Sequence, residues 1–100
     1  MKVINKLSIV VSVYNEEAVL DKFYETILPI LEGIDSDYEL LFVNDGSRDA
    51  SPAILDRLAM GSNKVKVVHF SRNYGHEAAM IAGIDYSSGE SVWMRICSIR

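Results

Sequence analysis

Leu7-Ser8-Ile9-Val10-Val11-Ser12-Val13 is a nearly continuous apolar run rich in β-branched residues, the pattern of a strand buried on both faces of a parallel sheet. The polar stretch Tyr14-Asn15-Glu16-Glu17 ends it, and beyond that point the period changes. Val19, Leu20, Phe23, Ile27, Ile30 and Leu31 recur at helical spacing, with acids and Lys22 between them. Asn15 is placed to cap this helix, with Glu16 and Glu17 in a first turn where carboxylates suit the helix dipole. Pro29 should kink the helix or end its regular part, and Gly33 closes it.

The alternation then repeats. Tyr38 to Val43 predicts a second strand, followed by the polar turn Asn44-Asp45-Gly46-Ser47. Ser51-Pro52 pairs an N-cap residue with proline at the first helical position; Ile54, Leu55 and Leu58 supply a buried stripe, and Gly61 stops the helix. Val65 to Phe70 predicts a third strand, and Asn73 to Tyr86 a weakly amphipathic, alanine-rich third helix ended by Ser87-Ser88-Gly89. Val92 to Ile96 predicts a fourth strand. Strand alternating with helix means βαβ units, a parallel sheet and right-handed crossovers, so the fold class is α/β. With no repeat, linker or low-complexity tract, the chain reads as half of one doubly wound domain rather than as two domains.

Composition narrows the function classes. At 100 residues, 49% hydrophobic and 24% charged, the chain carries enough apolar material for a core but is short enough to be marginal alone. A net charge of −4 and a pI near 5.0 argue against a nucleic-acid surface, which needs a basic patch. The single cysteine, Cys97, excludes an internal disulfide and fits a reducing, cytoplasmic compartment. Lys2 and Lys6 precede the first apolar run as in a signal peptide, but that run is short, lacks a small-residue cleavage site and passes straight into Tyr14-Asn15-Glu16-Glu17. No stretch approaches the roughly 20 apolar residues of a membrane-spanning helix.

Ligands of open α/β sheets bind beyond the C-terminal ends of the strands. Those ends are Ser12-Val13-Tyr14-Asn15-Glu16, Asn44-Asp45-Gly46-Ser47-Arg48-Asp49 and Ser71-Arg72-Asn73-Tyr74-Gly75-His76-Glu77, all polar. Together they suit a nucleotide. Tyr14 offers an aromatic face to a base, and Asp45 an acceptor for a ring N–H such as that of uracil. Glu16 or Asp49 can meet ribose hydroxyls, and Arg72 a phosphate. The helix start after Asn73-Tyr74-Gly75 adds backbone donors. Each residue alone also fits a plainer role, Asp45 as a turn former, Asn15 as a cap, Arg72 as a surface charge and Tyr74 as packing. Neither G-x-G-x-x-G nor G-x-x-x-x-G-K-[ST] is present.

Three segments in order, Ser8-Ile9-Val10-Val11-Ser12-Val13-Tyr14-Asn15-Glu16-Glu17, Phe42-Val43-Asn44-Asp45-Gly46-Ser47-Arg48-Asp49 and Phe70-Ser71-Arg72-Asn73-Tyr74-Gly75-His76-Glu77-Ala78-Ala79, resemble family 2 glycosyltransferases. The subgroup they are most similar to is the polyprenyl-phosphate glycosyltransferases related to dolichol-phosphate mannose synthase and the bacterial glucosyl carriers. The resemblance covers residues 7 to about 92. It implies a GT-A (Rossmann-like) fold, a nucleotide-sugar donor (UDP-linked by preference) and Mg²⁺ or Mn²⁺ in the intact enzyme. It also implies a lipid phosphate acceptor at the cytoplasmic face of the membrane, in cell-wall or lipopolysaccharide biosynthesis. Carried over by motif, Ser12, Val13, Tyr14 and Glu16 fall on the first nucleotide-binding turn. Val43, Asp45 and Ser47 fall on the second, with Asp45 reading the base, and Arg72, Asn73 and Gly75 on the third. Ser12 stands where the family usually has proline, and Asn44 replaces the first of two common aspartates. The alternative class is a non-catalytic nucleotide-binding or interaction module. The missing glycine fingerprint disfavours a third, a Rossmann-like oxidoreductase or methyltransferase fragment.

The departure from the family comes at the end. Where its members run into Asp-x-Asp, Ser91-Val92-Trp93-Met94-Arg95-Ile96-Cys97-Ser98-Ile99-Arg100 contains no acid. A hard divalent cation then lacks a carboxylate anchor, so no metal ligand and no catalytic residue is expected here, and the isolated chain is expected to be inactive. The genetic code offers an account. Trp93-Met94 can only be encoded TGGATG, which read from the third base of the preceding codon contains GAT, an Asp codon. Permitted codons for the following residues can continue as Ala-Asp-Leu-Gln-His-Pro, although only the first Asp is forced. The expectation is a truncated domain with a frame shift after about Val92.

Overall fold

The computed structural model describes residues 6–33, 37–86 and 92–95, the backbone alone at 6, 7, 76, 86 and 92–95. The elements run β1 (Lys6–Val13), α1 (Leu20–Glu32), β2 (Asp37–Asn44), α2 (Ser51–Gly61), β3 (Val65–His69), α3 (His76–Tyr86) and β4 (Val92–Arg95). The sheet has the order β3-β2-β1-β4, with every pairing parallel. It grows from β1 through β2 to β3, then returns to the far side of β1 for β4. Crossovers of one hand must then place the first two helices on one face and the third on the other, and the two cores are divided in that way. Ile9, Val11, Leu40 and Phe42 pack with Leu20, Ile27 and Leu31 of α1 and Leu55 and Leu58 of α2. Val10, Leu41 and Val43 pack with Ala79 and Met80 of α3.

Burial on both faces explains why the first two strands read as continuous apolar runs. Residues 8–13 are all buried, as are 38–44. The two polar exceptions low in the sheet satisfy each other: the Ser8 hydroxyl donates to the buried Glu39 carboxylate, which also pairs with the Lys66 ammonium at 3.1 Å.

The helix starts differ from expectation. Asn15 does not cap α1. It sits at φ 51°, its side-chain oxygen accepts from Arg48 N, and the helix begins only at Leu20, with Val19 as N-cap and no side-chain cap bond. Glu16 and Glu17 accordingly precede the helix rather than form its first turn; the Glu16 carbonyl accepts from Val19 N and Leu20 N. Pro29 does not end α1, which continues to Glu32. Ser51 is the first residue of α2 rather than its cap, its hydroxyl being engaged with Glu16 N. The third helix starts at His76, three residues later than the sequence pattern placed it. The loop Ser87-Ser88-Gly89, residue Ile96 and Cys97 lie outside the described residues.

Candidate functional site

Parallel strands deliver all their C-terminal ends to one edge, and there the loops after β1, β2 and β3 meet. The first two are joined reciprocally. Asn15 N donates to the Ser47 hydroxyl at 2.9 Å, while Arg48 N donates to the Asn15 side-chain oxygen at 2.8 Å. Glu16 N donates to the Ser51 hydroxyl at 2.9 Å and Glu17 N to an Asp49 carboxylate oxygen at 3.1 Å. Ala50 N returns a bond to the Glu17 carboxylate at 2.7 Å. Side chains of each loop thus satisfy the backbone of the other, the demand that irregular backbone makes wherever it is packed. Burial pushes the Asp49 carboxyl up, but bonds from the Ser51 hydroxyl and from the Ser51 and Glu17 amides outweigh it and hold the group below its ordinary value.

The second loop is locked to the third through Asp45. That carboxylate is fully buried, with one oxygen accepting from Tyr74 N at 2.7 Å and the other from Gly75 N at 3.0 Å and Asn73 Nδ2 at 3.3 Å. Gly46, at φ +75°, lies so close that a Cβ there would fall 2.2 Å from the Arg72 carbonyl carbon. Asn44 closes the turn: its side-chain oxygen accepts from Ser47 N at 2.9 Å, which orients its amide nitrogen toward His69 Nδ1 at 2.9 Å. His69 Nδ1 is then an acceptor, and Nε2–H faces Asp56 at 2.8 Å.

Between the loops lies a pocket of about 470 Å³, lined by Tyr14, Gly46, Ser47, Arg48, Phe70, Ser71, Arg72 and Asn73. Two of these residues are cations, two are aromatic and none is an acid, although the whole chain carries a net charge of −4. A pocket of that size and local sign suits an anion with a planar group. Arg72 lies 4.7 Å over the Tyr74 ring, and Tyr74 meets Phe70 edge-on at 5.4 Å between centroids.

Of the residues singled out from sequence, Tyr14, Ser47, Arg72 and Asn73 line this pocket together. Ser12, Val13 and Val43 are fully buried and take their places in the sheet, with the Val13 carbonyl accepting from Asp45 N at 2.8 Å. Glu16 is half-buried and stands outside the pocket lining. Asp45 and Gly75 stand at the joint between the second and third loops, where the amides of Tyr74 and Gly75 donate to the Asp45 carboxylate. Arg48, Phe70, Ser71 and Gly46 were passed over as site residues, although all four belong to the strand-end segments that carried the signal.

Among the described residues no group of three or more His, Cys, Asp or Glu side chains could hold a metal ion. The sequence of β4, Val92-Trp93-Met94-Arg95, offers no oxygen-bearing acid, so the residues present do not fit a divalent cation.

The family model described as glycosyl transferase family 2 matches residues 8–96. An uncharacterized glycosyltransferase of Bacillus subtilis, YkcC, is 46% identical over 85 residues, which are 85% of this chain and 26% of the relative. The bactoprenol glucosyl transferase of Shigella phage SfV is 41% identical over 87 residues, 87% of this chain and 28% of that protein. The chain therefore spans about a quarter of the length of these curated relatives. Among solved structures, the mannosyltransferase PcManGT of Pyrobaculum calidifontis, in complex with GDP-Man and Mn²⁺, superposes with a TM-score of 0.73 at 18% identity, covering 88% of this chain and 26% of that one. Residues 1–349 of Staphylococcus aureus TarS give 0.70 at 21% identity, covering 90% and 27%. Likeness at those identities establishes the fold, an α/β GT-A architecture.

Proposed function

Because this chain belongs to glycosyl transferase family 2, we propose that its pocket holds the nucleotide of a nucleotide diphosphate sugar, most simply a UDP-hexose. The observation that carries this is the pocket lining: aromatic rings at Tyr14 and Phe70 beside the cations Arg48 and Arg72, with no acid among them. Tyr14 stacks the base, Ser47 and Asn73 meet ribose or phosphate oxygens, and the two arginines balance diphosphate charge. Ser12, Val13 and Val43 act by fixing the backbone beneath the pocket, and Glu16 and Gly75 by fixing the loops around it.

In the whole enzyme the anomeric carbon of the hexose passes to a phosphate oxygen of a polyprenyl phosphate, and the nucleoside diphosphate leaves with the electrons of the broken bond. The name of the Shigella phage relative, a bactoprenol glucosyl transferase, supports a lipid acceptor of this kind. The reaction would then run at a membrane, the cytoplasmic face being where nucleotide sugars are available; no helix among the described residues is long and apolar enough to cross one. This chain, without acids after Glu90, is proposed to bind nucleotide but not to transfer sugar. Calorimetry with UDP and GDP, with and without Mn²⁺, tests the first half: binding that needs no metal is expected, and none with either nucleotide refutes it. An assay with UDP-glucose and undecaprenyl phosphate tests the second, where metal-dependent transfer by these 100 residues would overturn it.

A second reading, a self-contained nucleotide-binding module, draws support from β4. Val92–Arg95 pairs with β1 in regular register, Leu7 with Val92 through Val10 with Arg95, as an ordinary strand would. The frame-shift proposal for the same segment is decided by resequencing the gene through and beyond codon 90. A shifted frame that opens into Asp-x-Asp and a longer catalytic half favours the broken enzyme; one that closes at once favours the module.

A further inference from the structure

Asn44 ends β2 and His69 ends β3, opposite each other in the parallel register. Asn44 is buried, and its side chain is committed at both ends. Its oxygen accepts from Ser47 N at 2.9 Å, closing the turn that carries Ser47 to the pocket. That bond fixes which end of the amide is which, so the NH₂ group meets His69 Nδ1 at 2.9 Å and must donate to it. Only an unprotonated Nδ1 can receive such a donor. On its other side the ring presents Nε2 to the Asp56 carboxylate at 2.8 Å, a partner that suits a charged ring equally well. Among the described residues, the other charged groups of the elements around His69 are engaged elsewhere. Arg57 of α2 pairs with Asp21 at 2.6 Å, while Asp37 and Glu39 of β2 pair with Lys64 and Lys66. In the loops, Asp45 and Asp49 accept from the amides of Tyr74 and Glu17, and Arg48 and Arg72 line the pocket. The charge of the ring is therefore decided between Asp56 and Asn44.

Resting on the nucleotide reading above, we propose that His69 is a positioning residue. Its neutral, Nε2-protonated form holds Asn44, and through Asn44 the Ser47 turn, in the arrangement that receives the nucleotide. A proton on Nδ1 sets donor against donor. Either the Asn44–His69 bond is lost, or the amide turns over and its NH₂ group faces Ser47 N, which opens the turn. Asn15 N donates to the Ser47 hydroxyl, so the first loop feels the same change. The sign follows: affinity is full above the range in which histidine titrates and declines as pH falls through it. The asparagine is what gives the coupling this direction. A carboxylate at position 44 accepts from Ser47 N and from a protonated Nδ1 alike, so Asn44→Asp removes the conflict.

The test is calorimetry of the chain with UDP-glucose, whose diphosphate keeps its charge throughout, from about pH 8 to about pH 5.5. On acidification the affinity of the wild type is expected to fall roughly three- to tenfold, the worth of one hydrogen bond. The profile should be level in His69→Gln, which cannot become charged, and in Asn44→Asp. A fall of the same size in folded His69→Gln overturns the proposal, since the titrating group is then another one. The ring itself is read by ¹⁵N NMR on the ligand-free wild type, whatever the folding of the variants. Nδ1 should be unprotonated and Nε2 protonated at the upper pH, and the Ser47 amide should shift along the same titration curve as the ring. A protonated Nδ1 at that pH, or a Ser47 amide indifferent to the ring, overturns the proposal too. If UDP-glucose binds at no pH, the nucleotide reading itself fails and the affinity half of this proposal with it. The tie between ring and turn is then judged on the ligand-free spectra.

Discussion

At the scale of single residues, the site divides into groups that face the pocket and groups that hold the loops. Tyr14 is of the first kind. Stacking a base on an aromatic ring contributes about 1–3 kcal/mol, so Tyr14→Ala should weaken UDP binding roughly 5- to 150-fold while leaving thermal stability nearly unchanged, which calorimetry and a melting curve would separate. Asp49 is of the second kind. Its carboxyl is held below the ordinary value, so the charged form is favoured by the fold. The stability it contributes is present above its unfolded value near 3.8 and is lost as pH falls through the lower folded value. Acid titration of urea stability should therefore show a decline below about pH 4 that flattens in Asp49→Asn, and equal slopes in the two proteins would remove that role. Gly46→Ala meets both a left-handed backbone and a collision with Arg72, so it should cost at least about 2 kcal/mol in the same experiment.

At the scale of elements, the strands were legible because burial on both faces leaves few polar residues to blur them; Leu7 to Val13 and Tyr38 to Val43 read as strands from their apolar runs. The helix starts were not, because capping rules look a few residues along the chain. The groups that fix Asn15, Glu17 and Ser51 lie 32 to 35 residues away, and no local pattern records them. Asp45 shows the same limit within the site: the sequence places it at the right strand end, but not which way its carboxylate turns. The weak amphipathicity of α3 also has a structural reason. Gly83 lets the helix sit directly on β1, where an added Cβ would come within 2.2 Å of Val10 Cγ1. Gly83→Ala should thus destabilise by about 1–2 kcal/mol, despite the roughly 1 kcal/mol that alanine gains in helix propensity. Combined with Val10→Ala, part of that loss should return. A double-mutant cycle showing strict additivity would mean the two do not touch.

At the scale of the whole molecule, an acidic chain carries a pocket lined by two arginines and no acid. The three loops that line it come from neighbouring strands on one side of the sheet, while β4 stands beyond β1 on the other. Nucleotide affinity should fall as ionic strength rises, since the arginines are exposed and screened, and a salt-independent constant would point to a ligand without charge. The reciprocal bonds between the first two loops also bear on the order of events during synthesis. Asn15 to Glu17 leave the ribosome with backbone groups whose partners, Ser47 to Ser51, have not yet been made. The half-site around Tyr14 cannot mature until about fifty residues have emerged, so the first strand must wait, exposed and apolar, for the second. That interval, rather than the finished fold, is when the chain is most open to aggregation.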